Sequence, residues 1–302
     1  MAISSVRVQI NGTWHTLTYD STSSSYKATI TASLGTSYVR EGGYYNCVVE
    51  ATNTAGTKAT ADASSLSGLK LYVRETTPPQ ISVQSPSSGA YVTNNKPGIV
   101  FLCNDESDGS GINANSAVVT LDGATVAASA ISVTANGTQG YKITYTPVSA
   151  LSDGSHTVTA KISDNDGNVS NVATTTFKVD TVPPTLNITA PTNASITNKA
   201  SVTVTGTTND STSSPVTITM TLNGTAQGTV TVASNGTFTK AITLAEGSNT
   251  LVVTATDAAG KTSTVTRTIT LDSSVPVIKS AVITPNPVDK GATIVISVVV
   301  TG

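Results

Sequence analysis

The stretch Lys178-Val-Asp-Thr-Val-Pro-Pro-Thr185 decides how the chain is divided, because it recurs on both sides. Val73-Arg-Glu-Thr-Thr-Pro-Pro79 precedes it and Leu271-Asp-Ser-Ser-Val-Pro276 follows it. In each, a run of strand-forming residues reaches an acidic residue, then Thr or Ser, then proline, and a new strand-forming run begins. Proline fixes φ, donates no hydrogen bond and biases the preceding residue to extended backbone. A Pro-Pro pair therefore ends one sheet and leads stiffly into the next without entering a helix. Pro79 and Pro184 lie 105 residues apart, and Pro184 and Pro276 lie 92 apart. Those are domain-sized intervals.

Composition agrees. The 302 residues are 38% hydrophobic, so each segment can bury a core, but only 4% aromatic and 11% charged. Thr, Val, Ser, Ala and Asn fill the chain. Thr and Val suit a pleated sheet, and Ser, Asn and Gly suit the turns between strands. The chain reads as all-β. A net charge of −2 offers no basic footprint for nucleic acid and no polybasic membrane patch. No apolar run approaches the ~20 residues that span a bilayer. The start, Met1-Ala-Ile-Ser-Ser-Val-Arg-Val-Gln-Ile10, alternates like a strand and lacks the cationic and apolar regions of a secretory leader.

Residues 1–77 open with Val6-Arg-Val-Gln-Ile10, Asn11-Gly12 and Trp14-His-Thr-Leu-Thr-Tyr19. Two alternating runs around Asn-Gly are a strong hairpin signal. Further strands are expected at 26–31, at 44–52 and at 69–73, which makes a seven-strand-sized sandwich, with residues 59–68 as a loop. Residues 78–181 form a second unit, with runs at 81–83, 91–97, 99–103, 118–123, 141–145, 156–162 and 173–179. Residues 182–273 repeat that order. Pro191-Thr-Asn-Ala-Ser-Ile-Thr-Asn-Lys199 matches the stretch 86–96, and Ile218-Thr-Met-Thr-Leu-Asn-Gly224 matches 118–123. About seven short strands per roughly 100 residues is the pattern of an immunoglobulin-like sandwich. The reading is a tandem, elongated row of such sandwiches, each without a Cys–Trp–Cys pin. Residues 274–302 hold only two apolar strands. They are expected to pair with another chain, fold back on the third domain, or be the start of an incomplete domain.

No residue pattern marks a catalytic site, and none is assigned. Cys47 and Cys103 fall in different domains and read as buried thiols in strands. His15 and His156 stand in separate strands without metal spacing or a nucleophile partner, and read as surface or sheet-face residues. Trp14, Tyr19, Tyr26, Tyr38, Tyr44, Tyr45 and Tyr72 concentrate in the first domain. Core packing accounts for many of them, yet the asymmetry points to a domain that docks or binds while the others space.

The pattern Asp180-Thr-Val-Pro-Pro184, then Thr197-Asn-Lys199, then Gly247-Ser-Asn-Thr-Leu-Val-Val-Thr-Ala-Thr-Asp-Ala-Ala-Gly-Lys261 resembles the bacterial Ig-like repeat family. The resemblance covers residues 78–273. The first domain, through Val6-Arg-Val-Gln-Ile-Asn-Gly12 and Leu17-Thr-Tyr19, resembles Ig-like tail-associated virion proteins of phages and prophages of gram-positive bacteria. Val277-Ile-Lys-Ser-Ala-Val-Ile-Thr-Pro-Asn-Pro-Val-Asp-Lys-Gly-Ala-Thr293 resembles that group as well. The resemblance implies a non-enzymatic structural or adhesive component of a virion. Its expected partners are other tail proteins, host surface glycans and further copies of itself. The alternatives are an exported cell-surface adhesin or stalk, and an accessory module of a glycan-degrading enzyme. The absent leader favours the virion. Asp105, Glu106 and Asp108 in one loop, with Asp164 and Asp166 in another, are hard oxygen ligands that could hold Ca²⁺, as in some bacterial Ig-like stalks. Ordinary Asx turns explain them better, since only Asp210 and Asp257 match them in the third domain. No cofactor or metal residue is therefore assigned.

Overall fold

The computed structural model describes residues 2–32, 34–138 and 140–302. It divides into two compact units, one running to Val179 and the other Asp180–Gly302.

In the first unit, residues 80–179 form a two-sheet sandwich. One sheet orders Ile131–Ala135, Gly140–Tyr145, Ile99–Asn104 and Gln80–Ser85. The facing sheet orders Ala124–Thr125, Ile112–Leu121, Gly154–Asp164, Ala173–Val179 and Ala90–Val92. The opening segment thus belongs to both sheets. Gln80–Ser85 runs antiparallel to Ile99–Asn104. Beyond Pro86, Ala90–Val92 runs parallel to Ala173–Val179. Pro86 has no N–H to lose where the chain leaves the first sheet.

The second unit repeats this plan. Thr185–Ala190, Ser201–Asn209 and Thr237–Thr243 make one sheet. Ser195–Thr197, Thr262–Leu271, Gly247–Thr256, Thr217–Leu222 and Thr225–Ala226 make the other. Ser195–Thr197 is again parallel to the last strand. The hairpin turns Asp122-Gly123 and Asn223-Gly224 have positive φ at both positions, as Asn11-Gly12 has in the first domain. That is the two-residue geometry matching strand twist, which Asn, Asp and Gly tolerate best.

Both cores follow from alternation. Ile99, Phe101 and Cys103 point inward from one strand, Val158, Ala160 and Ile162 from another, and all are at most 1% exposed. Val204, Phe238 and Ile242 face Leu251, Val253, Ala255 and Ile269 in the later repeat. Both cysteines are free and buried, as expected, so no disulfide joins the sheets. Burial pushes the Cys103 thiol up to about 11, which leaves it an inert core residue. Gly206 is required by close approach, since a Cβ there would meet Phe238 Cζ at 2.5 Å and Asn187 O at 2.6 Å.

The first domain differs. Its seven strands divide unevenly, five into one sheet in the order Ser25–Lys27, Thr13–Asp20, Ile3–Ile10, Val48–Asn53, Lys58–Ala61. Tyr45–Asn46 and Lys70–Leu71 make a separate ribbon. Part of the expected loop at 59–68 is therefore an edge strand. Among the described residues, only Val6, Tyr45, Cys47, Ala63 and Val73 supply its buried apolar side chains. Charge fills in on the sheet face. Glu50 accepts Arg7 at 2.8 Å and Lys58 at 3.3 Å, and the Arg7 guanidinium lies 4.2 Å from the Trp14 ring centre.

At the other end, Val277–Thr284 pairs with Val295–Thr301. Every residue of both strands is exposed. The two strands pair with each other and leave Ile278, Val282, Ile296 and Val299 in solvent.

Leu251 is 0% exposed at the centre of the later repeat, so Leu251→Ala leaves a cavity among side chains that cannot fully collapse. It is expected to cost about 2–5 kcal/mol, measured as a lowered urea midpoint at unchanged m-value.

Candidate functional site

At one end of each repeat the structure gathers three carboxylates. Glu75, Asp105 and Asp164 form one group, and Asp180, Asp210 and Asp257 the other. Within each, one ligand-capable oxygen per residue lies within 4.8 Å of the others. The members correspond. Glu75 and Asp180 are the acidic residues of the Pro-Pro junctions. Asp105 and Asp210 follow the strands Ile99–Asn104 and Ser201–Asn209. Asp164 ends Gly154–Asp164, and Asp257 follows Gly247–Thr256.

The loops position these groups by donating backbone N–H. Asp105 Oδ2 accepts Gly111 N at 2.7 Å. Asp164 Oδ1 accepts Gly167 N at 2.6 Å and Asn168 N at 2.8 Å, and its Oδ2 accepts Asn168 Nδ2 at 2.7 Å. Ser110 N donates to Glu75 Oε1. In the later repeat Asp210 Oδ1 accepts Thr212 N and Ser213 N, both at 2.8 Å, and Asp257 Oδ1 accepts Lys261 N at 2.8 Å. Ser213 Oγ donates to Asp180 Oδ2. Asp180 is 0% exposed, Asp164 1%, Asp257 6% and Asp105 7%. Burial raises the Asp105 and Glu75 carboxyls above their ordinary range, and neighbouring acids add to it: Glu75 beside Asp105, and Glu106 beside Glu75.

The acidic residues singled out in the sequence thus separate. Asp105 and Asp164 converge, Glu106 is half-buried beside Glu75, and Asp108 is exposed. Asp166 takes a different part, accepting Thr36 Oγ1 and Glu75 N at 3.0 Å and so joining the first domain and the linker to this loop. The third member, Glu75 or Asp180, was visible in the sequence only as junction punctuation. Its recurrence four residues before the second proline was the available signal.

His156 is not a surface residue. It is 7% exposed, with Nδ1 2.8 Å from Asp122 Oδ2 and Nε2 2.9 Å from Ser152 O. Both neighbours accept, so the doubly protonated ring satisfies both. Burial opposes that charge, but the bonds to Ser152 and Asp122 outweigh it and raise the imidazole above 6.5. Asp122 is held below the ordinary range: its burial is outweighed by the Thr157 N–H and His156. In the later repeat Asn249 does the same work uncharged, bonding Asn223 and Ala245 O. His156 is therefore a turn lock.

The first-domain aromatics are mostly outside a core. Tyr38, Tyr19 and Tyr72 are 53%, 54% and 65% exposed and Trp14 37%, with Tyr45 alone buried. Tyr19 and Tyr26 pair at 5.2 Å, and Tyr44 and Tyr72 at 6.2 Å. His15 lines a shallow hollow with Ile10, Ile30 and Leu71.

Tandem sandwiches of this kind define an all-β, Ig-like protein. Residues 91–181 match the family described as bacterial Ig-like domain, and residues 184–273 match glucodextranase, domain B. Both matches support a reading of these segments as bacterial Ig-like repeats. No curated protein matches the sequence. Among solved structures, the Clostridium thermocellum CbhA fibronectin(III)-like modules share 17% identity over 63% of this chain and 93% of theirs, with a TM-score of 0.38. Sidekick-1 immunoglobulin domains 1–4 share 12% over 90% of this chain and 68% of theirs, also at 0.38. A 1.5-MDa bacterial ice-binding adhesin shares 21% over 90% and 88%, at 0.29. These similarities extend to fold alone.

The His156–Asp122 pair has a defined pH window. The His156 contribution is complete below about 6.5 and is lost as pH rises through its higher folded value. The Asp122 contribution is present above about 3.8 and lost as pH falls through its lower folded value. Asp122→Asn, which copies Asn223 of the later repeat, is expected to lower the His156 midpoint in an NMR titration. The stability gap between wild type and variant should narrow from pH 6 to pH 9.

Proposed function

We propose that this chain is a non-enzymatic structural and adhesive protein of a phage particle, associated with the tail, and that it works at the virion rather than inside the cell. The two repeats act as spacers, and the first domain carries the contact surface. The observation behind this division is the distribution of aromatics. Phe101, Phe177 and Phe238 of the repeats are buried at 3% exposure or less, whereas Trp14, Tyr19, Tyr38 and Tyr72 of the first domain meet solvent. Aromatic faces of this kind stack on sugars or anchor a protein partner. Placing the protein on a tail draws on the likeness of residues 6–19 and 277–293 to tail-associated proteins of gram-positive phages. Tail proteins and host surface glycans are the partners this reading requires.

Immunogold electron microscopy of native particles and of host envelopes tests it. Label on the tail or baseplate is the expected result. Label confined to cell envelopes would replace it with an exported surface adhesin. In a sedimentation assay with host envelopes, Trp14→Ala combined with Tyr72→Ala is expected to weaken binding about tenfold or more. Unchanged binding would remove the first domain from the contact.

A further inference from the structure

Among the described residues, three hairpin tips share one turn geometry. Asn11-Gly12, Asp122-Gly123 and Asn223-Gly224 hold positive φ at both positions, at 46° and 82°, 49° and 82°, and 51° and 81°. The backbone is alike in all three; the fastening of the first side chain is not. Asp122 Oδ1 accepts Thr157 N at 2.8 Å, and its Oδ2 lies 2.8 Å from His156 Nδ1. Asn223 Oδ1 accepts Thr250 N at 2.8 Å, and its Nδ2 donates to Asn249 Oδ1 at 2.9 Å. The Asn11 carboxamide has no hydrogen-bond partner among the described residues. Asn11 is exposed and lines the first-domain hollow with His15.

An asparagine followed by glycine is open to attack on its own side chain, because glycine has no Cβ to shield its nitrogen. A Cβ built on Gly12 would meet nothing within 4 Å, so nothing else shields it either. In a folded chain the protection comes from whatever holds the carboxamide away from that nitrogen. At Asn223 two bonds must break before Cγ can swing onto Gly224 N. At Asn235 the side-chain oxygen accepts Thr237 N and Oγ1, and Gly236 N donates to Ala233 O at 2.8 Å. At Asn11 only the turn must open, and it closes on the single terminal pair Ile10↔Thr13. Asp122 shows the acid, the form such a reaction yields, standing in the same turn, and there Thr157 and His156 fasten it.

We propose that Asn11 is a site of spontaneous deamidation and isomerisation, and that its conversion unfastens the hairpin carrying Trp14. Gly12 N loses its proton to solvent base and bonds to Asn11 Cγ. The Cγ–Nδ2 bond breaks, ammonia leaves, and a cyclic imide closes. Water then opens the imide at either carbonyl. One product is aspartate, with the chain path unchanged. The other is isoaspartate, whose main chain runs through the side chain and is longer by a methylene group. A two-residue turn matched to strand twist has no room for that addition, because its length fixes the register of both strands. The pairs Ile10↔Thr13 and Gln9↔Trp14 are the first affected. With Trp14 goes its place beneath the Arg7 guanidinium, 4.2 Å from the ring centre.

The test incubates the whole chain at neutral and at mildly alkaline pH and maps its peptides by mass spectrometry. Isoaspartate is detected by labelling with an isoaspartyl methyltransferase. Unfolded in guanidinium chloride, Asn11 and Asn223 should convert at equal rates, because both stand in Asn-Gly-Thr. In the folded chain Asn11 is expected to convert about tenfold or more faster than Asn223, whose two further bonds must break first. Conversion should also be faster at the higher pH. The emission of Trp14, the chain's single tryptophan, should shift in step with conversion. It should stay constant in Asn11→Gly, which suits the turn and removes the carboxamide. Equal folded-state rates at the two sites, or no conversion at Asn11 in the folded chain, would overturn the proposal. So would full conversion to isoaspartate with the Trp14 emission unchanged.

Discussion

Both repeats depend on two facing sheets whose inward positions are filled, at every second residue, by aliphatic side chains and a few rings. With neither disulfide nor tryptophan between the sheets, Phe101 and Phe177 in one repeat and Phe238 and Leu251 in the other must hold the layers by packing alone. Such packing tolerates little loss of volume. The shared opening strand helps, because a segment that begins in one sheet and ends in the other ties the layers covalently. Its course depends on a proline at the crossing and on parallel pairing with the last strand.

The core leaves the sandwich ends to be settled by polar chemistry, and the two ends are settled differently. At one, a tight turn is locked to the neighbouring strand, by Asp122 and His156 in one repeat and by Asn223 and Asn249 in the other. An ion pair and an amide pair fill the same place because either satisfies every donor and acceptor. At the opposite end, three carboxylates converge in both repeats, and oxygens remain unsatisfied in both. Two repeats with quite different surface sequences keep this unfavourable arrangement at the same place in the fold. Each group includes the acid that begins the junction, so the connection between domains is part of the repeat that follows.

The first domain is organised on another principle. Its apolar core is thin, and its sheet is laced by Arg7, Glu50 and Lys58 and by the Trp14 ring under Arg7. Exposed ion pairs contribute little each, so this domain spends its larger side chains on its surface. The C-terminal hairpin presents a comparable imbalance, with valines and isoleucines on both faces in solvent. Open apolar edges of this kind are surfaces for further β pairing.

The strands, the turns and the repeat were legible in the sequence because each is written locally. Alternation sets a strand, Asn-Gly or Asp-Gly sets a hairpin, and the acid-Thr-x-Pro-Pro motif sets a boundary. The free, buried thiols of Cys47 and Cys103 could be read in the same way. The sequence also placed Asp105 and Asp164 as paired loop acids, but it grouped them with Glu106, Asp108 and Asp166, their neighbours along the chain. Only the tertiary structure brought Glu75 to Asp105 and Asp164, and Asp180 to Asp210 and Asp257. Those partners come from segments 30 to 89 residues apart in the sequence, and no local pattern encodes which loop ends share one end of a sandwich. The same reason hid His156, whose partner Asp122 lies across the sheet. Distance along the chain carries no information about such meetings; the pairing register of the sheets decides them.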